Sequence, residues 1–155
     1  MADKYDMVVI GSGPGGYVTA IRAAQVGLKT AVVERDEVLG GRCGNVACIP
    51  AKAMLRAADV LGEARDGAEF GISVKGLDFD IKGAAAHRDK VVKTLNGGVA
   101  GLMKKNKIDV IEGVGSLTAD GNVKVGDDEY QAKTCLLYTS PSPRDVEESR
   151  MPSSA

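Results

Sequence analysis

The sequence predicts an α/β domain built on a parallel sheet and extended by a small antiparallel β-meander. Three observations carry that expectation. An apolar run, Met7-Val8-Val9-Ile10, leads straight into a glycine-rich turn from Gly11 to Gly16. A stretch of helical character then leads to a second apolar run, Thr30-Ala31-Val32-Val33, which ends in Glu34, so strand, helix and strand follow one another as a βαβ unit. The composition, 44% hydrophobic and 26% charged, is that of an ordinary globular chain, while 20 glycines in 155 residues exceed average usage and signal tight turns and close backbone approach.

The elements follow in order. Residues 7–10 form the first buried strand, and Tyr17 to Val26 form a helix with alanines and Ile21 on one face, with Gly27 as its stop. Residues 30–33 form the second strand. From Lys52 to about Arg65, Met54, Leu55, Ala58 and Leu61 recur at helical spacing. A polar stretch from Gly67 to Gly83 precedes a long amphipathic helix from Ala84 to about Lys105, with Val91, Val92, Leu95, Val99 and Leu102 on its apolar side. Ile108 to Ile111 is a third strand, and residues 114–132 read as short antiparallel strands between turns at Ala119-Asp120-Gly121-Asn122 and Gly126-Asp127-Asp128.

Bulk properties exclude several function classes. A formal net charge of −1 gives no electrostatic reason to expect a nucleic acid or a membrane surface as partner. No apolar run approaches the roughly 20 residues that span a bilayer. Met1-Ala2-Asp3-Lys4-Tyr5-Asp6 leads almost directly into the first strand, without a signal or transit peptide pattern, so a cytoplasmic location is expected. In a reducing compartment, three cysteines read as free thiols or as a catalytic feature.

Gly11-Ser12-Gly13-Pro14-Gly15-Gly16 fits G-x-G-x-x-G. Gly11 allows the sharp turn out of the strand, Gly13 lets a pyrophosphate approach the backbone, and Gly16 lets the helix pack close to the sheet. The helix N-terminus offers N–H groups and the positive end of its dipole to phosphate. Such a motif is weak by itself. Here it follows a strand and opens a helix, and Glu34 lies 18 residues beyond Gly16, where a carboxylate accepts hydrogen bonds from an adenosine ribose and disfavours a 2′-phosphate. The expectation is a Rossmann-like dinucleotide site for FAD or NAD.

The stretch from Leu39 to Lys52, LGGRCGNVACIPAK, carries Cys43 and Cys48. On a regular helix, residues five apart lie about 140° apart around the axis and about 7.5 Å along it. That is near or beyond the reach of a disulfide. A bond between them requires distortion, for which Pro50 and the Gly40–Gly44 region are candidates. Two unrelated thiols remain the alternative on spacing alone. Zinc is disfavoured by the spacing and by the single histidine, His87, which offers no matching ligand set.

This segment resembles the active-site stretch of the two-cysteine flavoprotein disulfide reductases, the class I pyridine nucleotide-disulfide oxidoreductases. The ending Ile49-Pro50-x-Lys52 is most similar to the lipoamide dehydrogenase members. The likeness covers residues 4–134 and includes the helix around His87 to Leu95; glutathione and mercuric reductases share the cysteine spacing. The resemblance implies that the glycine loop binds FAD and that Cys43 and Cys48 form a redox-active disulfide. Cys43 would be the interchange thiol and Cys48 the charge-transfer thiol beside the flavin. Lys52 would lie near the reactive flavin nitrogen, Glu34 would hold the adenosine ribose, Gly41 and Cys43 would lie near the flavin end, Gly115 at the adenine side, and Arg35, Gly40 and Arg42 would also be cofactor-binding. It further implies NAD as the second cofactor, dihydrolipoamide or the lipoyl domains of 2-oxo acid dehydrogenase complexes as partners, and a homodimer for the full-length parent.

Four positions depart from the family pattern: Arg42 where Thr or Val is usual, Gly44 for Leu or Val, Ala47 for Gly and Ala51 for Ser. Arg42 puts a charge beside the flavin end, and Gly44 loosens the turn that holds the pair. His87 reads as a solvated side chain on a polar helix face. From Cys135 to Ala155 the character changes, with three of the five prolines, five serines and no periodicity. Leu136 to Asp145 resembles a translated sequencing adaptor, so residues 1–134 are expected to be a truncated FAD-binding domain and 135–155 a non-native or disordered tail. The nicotinamide and interface domains of the family have no counterpart in these residues. Without them the fragment is expected to be inactive alone, and a non-catalytic FAD-binding module is the competing reading.

Overall fold

The computed structural model describes residues 4–137. The predicted class is observed: a six-stranded sheet in the order β3-β2-β1-β6-β5-β4, parallel through β3, β2, β1 and β6 and antiparallel through β6, β5 and β4. Strand β1 is Lys4–Ile10, β2 Thr30–Glu34, β3 Asp109–Glu112, β4 Gly115–Leu117, β5 Val123–Val125 and β6 Asp128–Leu137. Helix α1 is Pro14–Gln25, α2 Gly41–Asn45, α3 Cys48–Asp66 and α4 Ile81–Lys105.

Strand β2 is buried along all five residues, which is why it reads as a continuous apolar run rather than an alternating one. In β1 the side chains alternate between two cores. Val8 joins Ala31, Val33, Val123 and Val125 on one face, so the β4–β5 meander covers that side. Val9 joins Ala20, Val32, Met103 and Ile108 on the other, under α1 and α4. Burying each valine, isoleucine or methionine side chain of these cores contributes about 1.5–3 kcal/mol. The Tyr5 hydroxyl spans from β1 to β3, donating to Asp109 Oδ2 at 3.0 Å.

Several boundaries differ from the sequence reading. Helix α3 begins at Cys48 rather than Lys52, because Pro50 occupies its first turn, where a missing N–H breaks no helical hydrogen bond. Helix α4 begins at Ile81 rather than Ala84, since Asp80 caps it through Lys82 N and Gly83 N at 2.9 and 3.0 Å. On α4, Val91, Val92 and Val99 are partly buried, but Leu95 and Leu102 are 43% and 42% exposed and Met103 is the residue sunk into the core. Strand β6 runs through Leu137, three residues past the expected boundary at 134. Cys135, Leu136 and Leu137 pair with Val8, Val9 and Ile10, so the change in composition falls inside a strand. The rest of the expected tail, 138–155, lies outside the described residues. No helix among the described residues is long and apolar enough to cross a membrane.

Candidate dinucleotide and disulfide site

The parallel strands deliver their carboxyl ends to one edge of the sheet, and the first functional residues emerge there. Gly11 leaves β1 and donates to Val33 O at 2.8 Å, holding the loop against β2. The loop ends in Pro14, which opens α1, and the cap residue Gly13 offers no side chain to occupy the helix N-terminus. That end of α1 therefore presents a helix N-terminus without a side-chain cap, where an anion is favoured. Gly41 lies against this loop: a Cβ there would stand 2.7 Å from Gly13 Cα, and its φ is +58°. Only glycine allows α2 to begin so close to the loop.

The two cysteines are on different helices. Helix α2 ends at Asn45, α3 starts at Cys48, and the chain bends between them at Val46 and Ala47. The bend brings the Cα atoms of Cys43 and Cys48 to 4.7 Å and the pair is disulfide-bonded. The required distortion thus comes from the break at 46–47, and not from Pro50, which sits in regular helix. Cys48 is the first residue of the 19-residue helix α3. The helix dipole there favours a thiolate once the bond is reduced.

Glu34 is 6% exposed at the end of β2, and its carboxylate is fully engaged by protein donors. Oε1 accepts from Arg35 N at 2.9 Å and Asp36 N at 3.1 Å. Oε2 accepts from Ser12 N at 2.8 Å and from the Ser12 hydroxyl. Burial pushes its pKa up, but the Ser12 hydroxyl and the backbone N–H groups outweigh this and hold it below the ordinary 4.5.

A cleft of about 720 Å³ runs along this edge. It unites the predicted Gly11, Ser12, Gly13, Pro14, Glu34 and Arg35 with Gly41, Arg42, Cys43, Cys48 and Gly115. Three predicted residues do not line it. Gly16 is buried under the loop, Gly40 is the buried cap residue of α2, and Lys52 is exposed on α3, one turn beyond Cys48. Sequence reading missed Asp36, Ala47 and the Gly113–Val114 pair. Gly113 donates to Glu34 O at 2.8 Å, and the Gly-Val-Gly pattern at 113–115 was the available signal for it. A larger groove of about 1180 Å³ lies between α4 and β3 but includes neither cysteine nor the glycine loop. His87 is exposed, and among the described residues no cluster of three or more His, Cys, Asp or Glu could hold a metal ion.

A dinucleotide cleft that ends on a disulfide defines a class of redox protein whose electrons pass between a thiol pair and a nucleotide cofactor. The residues present fit such a cofactor: the loop and α2 pack so closely that a Cβ at Gly41 would strike the Gly13 backbone, and both line the cleft beside a helix N-terminus without a side-chain cap. Residues 5–151 match the family model described as pyridine nucleotide-disulphide oxidoreductase, and the chain belongs to that family. It is 48% identical over 147 residues to a dihydrolipoyl dehydrogenase of Rhizobium etli, a match covering 94% of this chain and 30% of that protein. It is 45% identical over 139 residues to one from Thermus scotoductus, covering 90% of this chain and 30% of the relative. It is 45% identical over 125 residues to a leghemoglobin reductase of Vigna unguiculata, covering 80% and 24%. The chain thus spans about 30% of the length of the first two.

Proposed function

We propose that the chain is the FAD-binding part of a disulfide oxidoreductase that oxidises dihydrolipoamide with NAD⁺. The observation that carries this reading is the single cleft shared by the glycine loop, Glu34 and the Cys43–Cys48 disulfide. Gly11, Ser12, Gly13, Pro14 and the N-terminus of α1 would hold the pyrophosphate. Glu34, Arg35 and Gly115 would serve the adenosine side, with Gly41, Arg42 and the cysteines toward the flavin. Bound FAD supplies the chemistry of taking an electron pair from the reduced cysteines and passing it to NAD⁺.

The protein's own step is thiol–disulfide exchange. One thiolate of dihydrolipoamide attacks Cys43 Sγ, and the Cys43–Cys48 bond breaks with Cys48 leaving as a thiolate. The second substrate thiolate then attacks the substrate sulfur bound to Cys43, which leaves in turn. Lipoamide forms, the cysteine pair gains two electrons, and the two thiol protons are released. The N-terminus of α3 stabilises the Cys48 thiolate, and Lys52 one turn further adds positive charge. Lipoyl domains of 2-oxo acid dehydrogenase complexes, a homodimeric full-length parent and a cytoplasmic setting complete the proposal.

Two measurements test it. Titrating the purified chain into FAD should quench flavin fluorescence with one site per chain; no binding would overturn the cofactor assignment. Dihydrolipoamide should convert the disulfide to two alkylatable thiols much faster than dithiothreitol, a dithiol that resolves the mixed disulfide in the same way, does at equal concentration. Equal rates would overturn the substrate assignment.

A further inference from the structure

Ser12 sits between the first two glycines of the loop and is fully buried. It touches three pieces of the site at once. Its N–H and its hydroxyl both donate to Glu34 Oε2. Its hydroxyl oxygen accepts from Gly40 N at 3.0 Å, and its carbonyl oxygen shares that N–H at 3.2 Å. Gly40 is the cap residue of α2, and Cys43 is the third residue of that helix. One side chain therefore links the carboxylate at the end of β2 to the start of the helix that carries the disulfide.

We propose that Ser12 is a positioning residue that couples occupancy of the ribose position at Glu34 to the seating of the disulfide helix α2. The proposal rests on the dinucleotide reading above. A carboxylate offers about four acceptor positions. At Glu34 two are taken by Ser12 and two by Arg35 N and Asp36 N. A ribose hydroxyl that donates to Glu34 must therefore displace a donor. The three backbone N–H groups are fixed by the chain, whereas the Ser12 hydroxyl rotates about one bond, so it is the donor that yields. When it turns, its lone pairs turn with it, and the bond from Gly40 N is remade or shifted toward the Ser12 carbonyl. The first turn of α2 feels this directly, because Gly44 N closes back on Gly40 O at 3.2 Å and Cys43 lies within that turn.

The test uses ADP on the full chain, since ADP carries the adenosine ribose and a pyrophosphate but no flavin to touch the cysteines. The equilibrium of the Cys43–Cys48 disulfide with dithiothreitol, which is itself oxidised to its cyclic disulfide as the cysteine pair is reduced, is measured with and without saturating ADP. Hydrogen exchange at the Gly40 amide is followed in parallel. In the wild type, ADP should shift the equilibrium by about threefold to tenfold, the range of one remade hydrogen bond, and should change Gly40 exchange. In Ser12→Ala, bound ADP should shift the equilibrium less than about twofold. A full shift in Ser12→Ala, or an unchanged Gly40 amide and equilibrium in ADP-saturated wild type, would overturn the coupling while leaving the dinucleotide reading intact. The wild-type exchange measurement decides the matter even if the variant fails to fold. A wild type that binds neither ADP nor FAD would overturn the reading itself and the coupling with it.

Discussion

Asn96 on α4 donates through Nδ2 to Asn45 Oδ1 at 2.7 Å, joining residues 51 apart in sequence and tying the long helix to the end of the disulfide-bearing turn. Asn45 in turn donates to Leu39 O at 3.2 Å, so the amide pair closes the 39–45 segment from outside. The bond is half-buried, and its loss leaves Asn45 without its long-range anchor. Asn96→Ala is expected to lower stability by about 1 kcal/mol, as for one lost hydrogen bond. It should also speed reduction of Cys43–Cys48 by dithiothreitol. Denaturant unfolding and timed alkylation measure the two effects; a reduction rate equal to wild type would show that the amide pair does not restrain the cysteines.

The Glu34 carboxyl gives a pH dependence with a definite sign. Its folded pKa is held below the ordinary 4.5, so the folded state binds this proton less readily than the unfolded chain does. Its contribution to stability is complete above pH 4.5 and is lost as the pH falls through the lower folded value. Unfolding free energy should therefore drop on acidification below about 4.5, and Glu34→Gln should flatten that part of the profile while lowering stability at neutral pH. An unchanged acid limb in the variant would refute the assignment.

The strands and the glycine loop were legible because each rests on a local signal: an apolar run, a motif and an acid at a set distance. Ser12 was legible as a loop residue, but its link to Gly40 was not, since no local pattern reports contact between residues 28 apart. The cysteines show the limit most clearly. Regular helical spacing puts them near or beyond bonding reach, and the break at Val46–Ala47 that permits the bond has no glycine or proline to announce it. The apolar face of α4 was legible only in part, with Val91, Val92 and Val99 partly buried but Leu95 and Leu102 exposed, for a related reason. Its pattern identifies a helix, but whether Leu95 or Met103 meets the sheet depends on how α4 crosses α1 and β2, which periodicity does not encode. The end of β6 was lost to composition, because pairing with β1 overrides the change in residue type at 135.

Gly44 offers a stabilising change. It lies in the short helix α2, and an added Cβ would meet only Asn96 Oδ1, at 4.0 Å, an ordinary contact. Glycine at a helical position costs roughly 0.5–1 kcal/mol relative to alanine. Gly44→Ala should therefore raise the unfolding midpoint and leave the Asn45–Asn96 pair in place. A destabilised variant would mean that the turn needs the freedom of glycine to seat the disulfide.

Gly16 offers the opposite case. A Cβ at this position would stand 1.9 Å from Gly11 O and 3.0 Å from Gly11 C, both backbone atoms that cannot rotate away. Gly11 is itself held by its bond to Val33 O at 2.8 Å, so relief requires moving the loop off β2 or α1 off the sheet. Displacing α1 would uncover Ala20 and Ala23, which are buried under it. Overpacking of this kind costs about 1–3 kcal/mol or more. Gly16→Ala is expected to destabilise the chain by that amount and to abolish FAD binding, read by flavin fluorescence. Because residue 16 does not line the cleft, lost binding in a variant that still unfolds cooperatively would trace the affinity to the shape of the loop. Retained binding would show that the loop tolerates the displacement and that its close packing on α1 is not what forms the site.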